Sequence, residues 1–379
     1  MKNNINNHKK LSTIIGLIVG IILLYVFLPN KNVKLNLEDF ALDENTKTYR
    51  ASIENKKIHC SDLKDISSCI KGYKAENKNY PVVVWLGNSQ LHAINQYKKG
   101  DNTAALHIHK YLKGLNFYSL TFSQPNANLQ EHYLLFAYLL DQFKISTLIL
   151  PIVFDDLRED QIRSNIISIL NYQNSFKRIE KSLSGKRIIS KNNQKDLAGN
   201  EINIIEDTIQ NNFENFIDDK LGNIWPLWMQ RDSLIGQLYG NLYLLRNSIF
   251  GIKATTTRKI IKGRYANNIN ALKDILSLAI ENEVNVIVYI PPIRNDIKIP
   301  YNISQYVNFK HEISEITKHY ETNFANLENL IPAKYWGKKA STSLKKEEEV
   351  DFMHFQAEGH NLLAKAIFLE FKKILKLSE

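Results

Sequence analysis

Four short runs of β-branched and other apolar residues are the feature that most limits the folds open to this chain. They are VVVWL at 82–86, NFYSLTF at 116–122, TLILPIVF at 147–154 and VNVIVYI at 284–290. Runs of this length without polar alternation are typical of strands buried on both faces of a parallel sheet. Helical patterns stand between or after these runs, at 90–97, 129–143, 268–282 and 357–375. Strands that alternate with helices predict an α/β fold with a parallel sheet flanked by helices.

The pattern divides the chain into three parts. We interpret residues 1–30 as a cytoplasmic tip and membrane anchor, 31–80 as a polar lead-in or stalk, and 81–379 as the α/β domain. Within the domain, residues 158–265 interrupt the alternation of strands and helices. They are rich in Asn, Lys and Ile and contain no clear strand, so we predict a helical insertion there.

The first part contains an uncharged, mostly aliphatic run at residues 11–28. A helix of that length spans about 27 Å, close to the thickness of bilayer hydrocarbon. No small-x-small cleavage site follows, so we predict one N-terminal transmembrane helix rather than a cleaved signal peptide. A buried core helix is the alternative, but it rarely lies at the extreme N-terminus without a polar face. Three lysines precede the run, which predicts a cytoplasmic N-terminus in the cell (inner) membrane and an extracytoplasmic or periplasmic main domain.

Composition restricts the compartment and the partners. Lys and Arg number 49 against 39 Asp and Glu, a net charge of +10 that suits an anionic partner without choosing among lipid headgroups, envelope polymers and nucleic acid. The sequence shows no Gly-rich phosphate loop and no basic-aromatic array, so neither a nucleotide nor nucleic acid is favoured. The two cysteines, Cys60 and Cys69, are too few for a disulfide framework but could form one bridge in an oxidising compartment.

A candidate nucleophile follows the first predicted strand. Gly87-Asn88-Ser89-Gln90 stands where the strand ends and the predicted helix at 90–97 begins. The ligand crevice of a parallel α/β sheet lies outside the carboxyl ends of its strands, so the Ser89 hydroxyl is expected to point into it. The Ser89 N–H would lie at a helix N-terminus, which favours a developing oxyanion. The same tetrapeptide is also ordinary turn chemistry.

Asp351 and His354 are the candidate partners of this serine. They precede the last predicted helix, and an aspartate three residues before a histidine can orient the ring through Nδ1. The ring would then keep Nε2 free to take a proton from serine. Taken alone, the two are a helix-start aspartate and a loop histidine. Together with Ser89 they predict a Ser-His-Asp triad.

These two motifs resemble the first and last blocks of the SGNH (GDSL-type) hydrolase superfamily. The resemblance covers roughly residues 81–157 and 284–375, and it implies a flavodoxin-like α/β fold with serine-based acyl chemistry. The family usually completes its oxyanion hole with a glycine N–H after the second strand and an asparagine side chain after the third. In this chain 123–128 contains no glycine, and Asp155-Asp156 stands where the asparagine is expected.

Because of that departure, the oxyanion hole could be completed in several ways. Asn126 or Asn128 could donate from its side chain beside the Ser89 N–H, or the site is completed by Arg158 or by a partner, or it is incomplete. An ionised carboxylate cannot stabilise an oxyanion. Asp155 and Asp156 therefore need another role, and we interpret Asp156-x-x-Glu159 as a helix-start capping arrangement.

One membrane helix followed by an SGNH-like domain is similar to two envelope families, the D-alanine transfer proteins of teichoic-acid systems and the alginate O-acetylation group. Both work beside membrane-bound O-acyltransferases. The resemblance implies an acyl esterase or O-acyltransferase acting on a cell-envelope polysaccharide or glycoconjugate, with such a membrane protein as a partner. The alternatives are a catalytically silent glycan-binding or assembly component and an envelope lipase or esterase that acts alone.

Three other histidines have the residue type of a functional site. His107 and His109 are possible metal ligands, but only Asp101 stands nearby in the sequence, so we favour exposed or core positions for them. His92 follows Ser89 by three positions and either borders the site or packs in the core. No metal and no cofactor are predicted.

Overall fold

The computed structural model describes residues 42, 45–61, 63–76, 79–198, 231–342 and 348–376, together with positions 16 and 20. The chain separates into two compact units. The larger unit comprises residues 42–201, 252–341 and 346–379, and it contains every strand named below. The smaller unit comprises residues 1–41, 202–251 and 342–345.

The elements of the larger unit follow one another in the order of an α/β protein. Its strands are β1 (Lys47–Thr48), β2 (Ser52–Ile53), β3 (Lys56–Lys57), β4 (His59–Cys60), β5 (Val82–Gly87), β6 (Ala93–Ile94), β7 (Tyr118–Ser123), β8 (Ile145–Pro151), β9 (Asn285–Ile290), β10 (Asn323–Asn326), β11 (Trp336–Lys339) and β12 (Glu349–Phe355). The α-helices of the described chain are α1 (Leu63–Lys74), α2 (Ala104–Lys113), α3 (Leu129–Gln142), α4 (Ser164–Ile167), α5 (Gln173–Ile179), α6 (Leu183–Ala198), α7 (Arg231–Ile249), α8 (Lys262–Glu281), α9 (Ile303–His319) and α10 (Ala357–Ile374). Of these helices, α7 lies in the smaller unit.

Six strands form one parallel sheet in the order β10-β9-β8-β5-β7-β4. Leaving β4 aside, the five longer strands stand in the order 2-1-3-4-5 of their sequence, which is the flavodoxin-like order. The predicted α/β fold with a parallel sheet flanked by helices is confirmed. In this order the topological switch point lies between β5 and β8, and open α/β sheets bind their ligands outside the carboxyl ends of the strands at such a point.

The alternation of side chains along β5 explains why helices cover both faces. All six of its residues are buried. Since successive side chains point to opposite faces, Val83 and Trp85 pack with apolar residues of α2 and α10. Val82, Val84 and Leu86 pack on the other face with residues of α3 and α8. A strand buried on both sides needs an uninterrupted apolar run, which is the signal that the sequence carries.

The sequence predicts that the α/β unit starts at residue 81, but in the structure it starts earlier. Within the predicted lead-in of residues 31–80, β4 pairs in parallel with β7 at one edge of the sheet. Cys60, at the end of β4, forms a disulfide with Cys69 of α1. A strand of two residues that includes a histidine has no apolar run, and for this reason its role in the sheet is not visible in the sequence.

The regular elements that the structure describes in the predicted insertion at 158–265 are helices and 3-10 turns, joined by loops such as 250–261. The insertion contains α4, α5, α6, α7 and the first turn of α8, and none of its described residues belongs to one of the strands named above. The hydroxyl of Tyr133 on α3 donates to Ser182 Oγ just before α6, at 2.9 Å. The contact links this part of the insertion to a helix of the main sheet.

None of the helices in the described ranges is long and apolar enough to span a bilayer. The anchor predicted at residues 11–28 lies outside the described residues except for positions 16 and 20. It remains a prediction.

Candidate active site

Ser89 lies in a single 3-10 turn, Ser89–Leu91, directly after β5. Asn88 caps this turn, because its Oδ1 accepts the N–H of Gln90 at 3.0 Å. Position 87 requires glycine because the side chain of Leu91 lies so close to it that a Cβ there would collide. Ser89 itself is half-buried and lies at the carboxyl end of β5.

The α-helix predicted at 90–97 is wrong. After the 3-10 turn the chain enters β6, which pairs antiparallel with β1. Residues 90–95 of this segment are buried although they are not α-helical, whereas Gln96 is exposed. A helix dipole behind Ser89 is therefore not part of the site. The Ser89 N–H remains at the start of the turn as a single donor.

The structure brings the three predicted triad residues together. Ser89 Oγ lies 2.9 Å from His354 Nε2, and His354 Nδ1 lies 2.8 Å from Asp351 Oδ2. A carboxylate at this distance accepts the Nδ1–H, which fixes the tautomer in which Nε2 accepts the hydroxyl proton of serine. Asp351 Oδ1 also accepts the backbone N–H groups of Met353 and His354, at 2.8 and 3.0 Å.

Asp351 is ionised in this arrangement. Its side chain is buried, which alone would raise its pKa, but the charge of His354 and the hydrogen bonds from His354 and Met353 outweigh burial and hold the pKa below the usual range. An ionised aspartate can orient the imidazole and stabilise the imidazolium that forms when serine loses its proton.

Gln90 contributes to the site although no role was predicted for it. Its Nε2 donates to two carbonyl oxygens, Pro292 O and Met353 O, each at 2.9 Å. The first carbonyl follows β9 and the second precedes His354. The residue after the candidate nucleophile therefore holds the backbone that carries the histidine.

The prediction that Asn128 donates to the oxyanion is wrong. Asn128 is the N-cap of α3, where its Oδ1 accepts the N–H groups of Gln130 and Glu131 at 3.0 and 3.2 Å. Its Nδ2 donates to Gln161 O at 2.8 Å. Both ends of the amide are used in capping and in holding a loop, as is common for asparagine before a helix.

Asn126 lies on the surface in a left-handed turn, with φ at 51°. Among the described residues it makes no hydrogen bond to the triad. Asparagine tolerates this backbone conformation better than most residues, which accounts for its presence at this position. The structure therefore does not place it as an oxyanion donor.

The predicted Asp156-x-x-Glu159 capping arrangement is also wrong, because Asp156 lies inside the 3-10 turn Asp156–Arg158 and Asp155 takes the N-cap position. Asp155 makes no cap hydrogen bond. Its carboxylate pairs with Arg258, with Arg158 at 3.2 Å and with the hydroxyl of Tyr301 at 3.1 Å. Arg158 is engaged there rather than at the triad.

The side chain of Asp156 instead contacts Asn88, which caps the 3-10 turn that begins at Ser89. It is 7% exposed, and its Oδ2 accepts from Asn88 Nδ2 at 2.7 Å. Burial raises the pKa of Asp156 well above its usual range, and the nearby Asp155, Glu159 and Glu131 add to that rise, while the Asn88 hydrogen bond opposes it. The residue that stands in place of the expected asparagine thus contacts the residue that precedes Ser89.

No family model matches this sequence, and no curated protein matches it. Several solved structures are similar to the chain. A mutant acetyl-xylooligosaccharide esterase from Geobacillus is 9% identical, and the match covers 77% of this chain and 94% of the other, with a TM-score of 0.36. A GDSL-like lipase from Bacteroides thetaiotaomicron is 12% identical over 80% of this chain and 98% of the other, with a TM-score of 0.34. Similarity at this level transfers no activity.

The order of the sheet strands and the position of the triad are those that the SGNH resemblance of the sequence implies. This resemblance rests on the chain's own order of elements: the serine follows the strand at the switch point, and the Asp-x-x-His motif precedes the last helix. The central departure of the SGNH-like site is Asp156, because the family places an asparagine in that region.

A second serine lies between two histidines at the same edge of the sheet. Ser123 Oγ is 2.6 Å from His59 Nε2 and 2.7 Å from His92 Nδ1, and all three residues are buried. Burial lowers the pKa of both histidines well below its usual range, and Arg50 contributes to the decrease. Since the cluster is closed to solvent, we interpret it as packing beside the site. His59 was not singled out from the sequence.

His107 and His109, the possible metal ligands, lie in different environments. His109 is buried and its Nδ1 donates to Ser119 O at 2.9 Å, whereas His107 is half-buried. In the part of the chain that the structure describes, no group of three or more His, Cys, Asp or Glu side chains is arranged to hold a metal ion.

Proposed function

We propose that this protein is a serine acyl esterase or O-acyltransferase. The observation that supports the proposal is the hydrogen-bonded chain from Ser89 through His354 to Asp351 at the carboxyl edge of the sheet. Nucleophile, base and orienting carboxylate are all within the distances that acyl transfer requires.

The chemistry divides into two steps. Ser89 Oγ attacks the carbonyl carbon of an ester or thioester while His354 Nε2 takes the hydroxyl proton. The tetrahedral intermediate collapses to an acyl-serine ester, and His354 returns the proton to the leaving oxygen or sulfur. In the second step His354 takes a proton from the acceptor, which attacks the acyl carbon. The bond from that carbon to Ser89 Oγ then breaks, and His354 returns the proton to Oγ. Water as acceptor gives an ester hydrolase, whereas a sugar hydroxyl gives an O-acyltransferase.

A second, more specific proposal concerns the cellular location and the substrate of the protein. We infer an exported, membrane-anchored protein that acts on a cell-envelope polysaccharide or glycoconjugate beside a membrane-bound O-acyltransferase. Three features support it: the apolar run at 11–28, the net charge of +10 and the Cys60–Cys69 disulfide. Disulfides persist in oxidising compartments and are rare in the cytosol.

The test uses the purified full-length chain with a fluorophosphonate probe and with p-nitrophenyl acetate. We expect the probe to form an adduct on Ser89, mapped by mass spectrometry, and we expect S89A and H354A to lose it. Turnover of the ester should fall by more than about 1000-fold in either variant. The matched control is Ser123→Ala, because Ser123 also contacts histidine but lies buried in the adjacent cluster.

Two results would contradict the proposal: labelling that persists in a folded S89A variant, and no labelling of folded wild-type protein. The second result would favour the alternative of a catalytically silent glycan-binding or assembly component. Adding an oligosaccharide acceptor to a labelling-competent protein then separates hydrolysis from transfer, because only transfer yields an acylated sugar.

A further inference from the structure

Asp156 occupies a position that the topology makes important. Ser89 follows β5 and Asp156 follows β8, and these two strands are neighbours at the switch point of the sheet. Ligands of open α/β sheets bind in the crevice at this point. The side chain of Asn88 joins the two loops through its 2.7 Å hydrogen bond to Asp156.

The hydrogen bond with Asn88 fixes which oxygen of Asp156 is available. Asn88 Nδ2 donates to Oδ2, while Asn88 Oδ1 is occupied by the N–H of Gln90. When the acid is neutral, Oδ2 is the carbonyl oxygen and the proton lies on Oδ1. In the described chain no protein group accepts a hydrogen bond from Oδ1. Its O–H therefore needs an acceptor from outside the protein, either water or substrate.

The surroundings of Asp156 oppose its ionisation. Asp155 and Glu159 on its own segment carry negative charge, and so does Glu131 on α3. Three arginines that pair with carboxylates beside Asp156 are engaged there: Arg163 with Glu131, and Arg158 and Arg258 with Asp155. From α8, the neighbouring polar groups are Asn268, which donates to Leu157 O and Glu159 O, and Arg264, which donates to Arg158 O.

We propose that Asp156 works as a neutral carboxylic acid and that its Oδ1–H donates a hydrogen bond to the oxyanion formed when Ser89 attacks the substrate. In this role it replaces the asparagine amide that the SGNH resemblance implies after the third strand. The inference rests on the proposed acyl chemistry. It also explains why a carboxyl group can stand in the site: a neutral acid donates, whereas a carboxylate would repel the oxyanion.

The proposal has a definite pH consequence. Ionisation of Asp156 removes the donor and adds a negative charge beside the oxyanion, so wild-type kcat should fall at alkaline pH. Asp156→Asn keeps the shape and the donor but cannot ionise. We expect D156N to lose the alkaline decline and, at neutral pH, to keep a larger share of the wild-type kcat than Asp156→Ala does. Asp156→Ala should lower kcat by on the order of 100-fold, the usual effect of removing one oxyanion donor.

A spectroscopic measurement tests the protonation state without relying on activity. The infrared difference spectrum between wild type and D156N at neutral pH should contain the C=O stretch of a protonated carboxylic acid. Asp155→Asn is the matched control, because Asp155 is ion-paired with two arginines and its replacement should remove carboxylate bands only.

Each outcome has one meaning. Absence of the protonated-acid band, an unchanged alkaline decline in D156N, or a folded D156N with less than about 1% of wild-type kcat would overturn the role of Asp156. A protein that shows the band but has no Ser89-dependent esterase activity would overturn the proposed function and, with it, the oxyanion role. The band together with a D156N profile that stays flat at alkaline pH supports both.

Discussion

At the scale of single residues, Gln90 holds the backbone next to His354, and we expect it to help fix the position of the His354 ring relative to Ser89. Its amide donates to Pro292 O and Met353 O, and both carbonyls would lose their donor in Gln90→Met. We expect Q90M to lower the free energy of unfolding by about 2 kcal/mol, since unpaired buried carbonyls are costly. We also expect kcat to fall on the order of tenfold, because the strand bearing His354 is less firmly placed. Urea denaturation and ester hydrolysis measure the two effects.

The control for this substitution is Gln130→Met. Gln130 is equally buried, but its amide donates to Asp160 Oδ1, away from the triad. Q130M should lose stability without a matching loss of kcat. Equal losses of kcat in both variants would show that Gln90 acts only through global stability and not through the position of His354.

Residue roles were predictable where the chemistry is local. Asp351 and His354 are three positions apart, and Ser89 stands in a turn whose position after a strand is readable from the pattern. The partners of Asp156 and Gln90 are distant in sequence: Asn88 lies 68 positions before Asp156, and Met353 lies 263 positions after Gln90. Such contacts depend on the order of strands in the sheet, which the sequence pattern alone does not specify.

At the scale of elements, Asn128 at the N-terminus of α3 allows a capping role to be distinguished from a catalytic role by mutation. Asn128→Ala removes the acceptor for two backbone N–H groups and should lower the free energy of unfolding by about 1 kcal/mol. Asn128→Ser restores a cap and should recover most of that loss. Since the amide of Asn128 is fully engaged in α3 and with Gln161, kcat of the folded N128A variant should stay within about twofold of wild type. A 100-fold loss of kcat in folded N128A would restore Asn128 as an oxyanion donor.

Elements were predictable in proportion to their length and burial. The four apolar runs correspond to β5, β7, β8 and β9, because a strand covered on both faces has no polar alternation to obscure it. The short edge strands β4 and β10 were missed for the opposite reason. The segment 90–97 does not form the predicted helix, since its buried residues 90–95 belong to a 3-10 turn and to β6. Periodicity reports which residues are covered, and only indirectly the backbone conformation.

At the scale of the whole molecule, the disulfide links the stability of the sheet edge to the compartment of the protein. Cys60 ends β4 and Cys69 lies in α1, nine positions later. Closing a loop of this size is worth about 2–3 kcal/mol in the unfolded-chain model. Reduction, or the double substitution of Cys60 and Cys69 by Ser, should therefore lower the free energy of unfolding by about that amount and loosen β4 from β7.

The redox state of this pair in cells tests the predicted orientation of the chain. If residues 11–28 anchor the protein with its main domain outside the cytoplasm, maleimide-polyethylene glycol should modify no cysteine until a reductant is added. A variant that lacks residues 1–30 should stay in the cytoplasm and present both thiols without reduction. Free thiols in the full-length chain of untreated cells would place the domain in a reducing compartment. That result would contradict export and, with it, a cell-envelope substrate, while the esterase chemistry at Ser89 would be tested independently by its adduct.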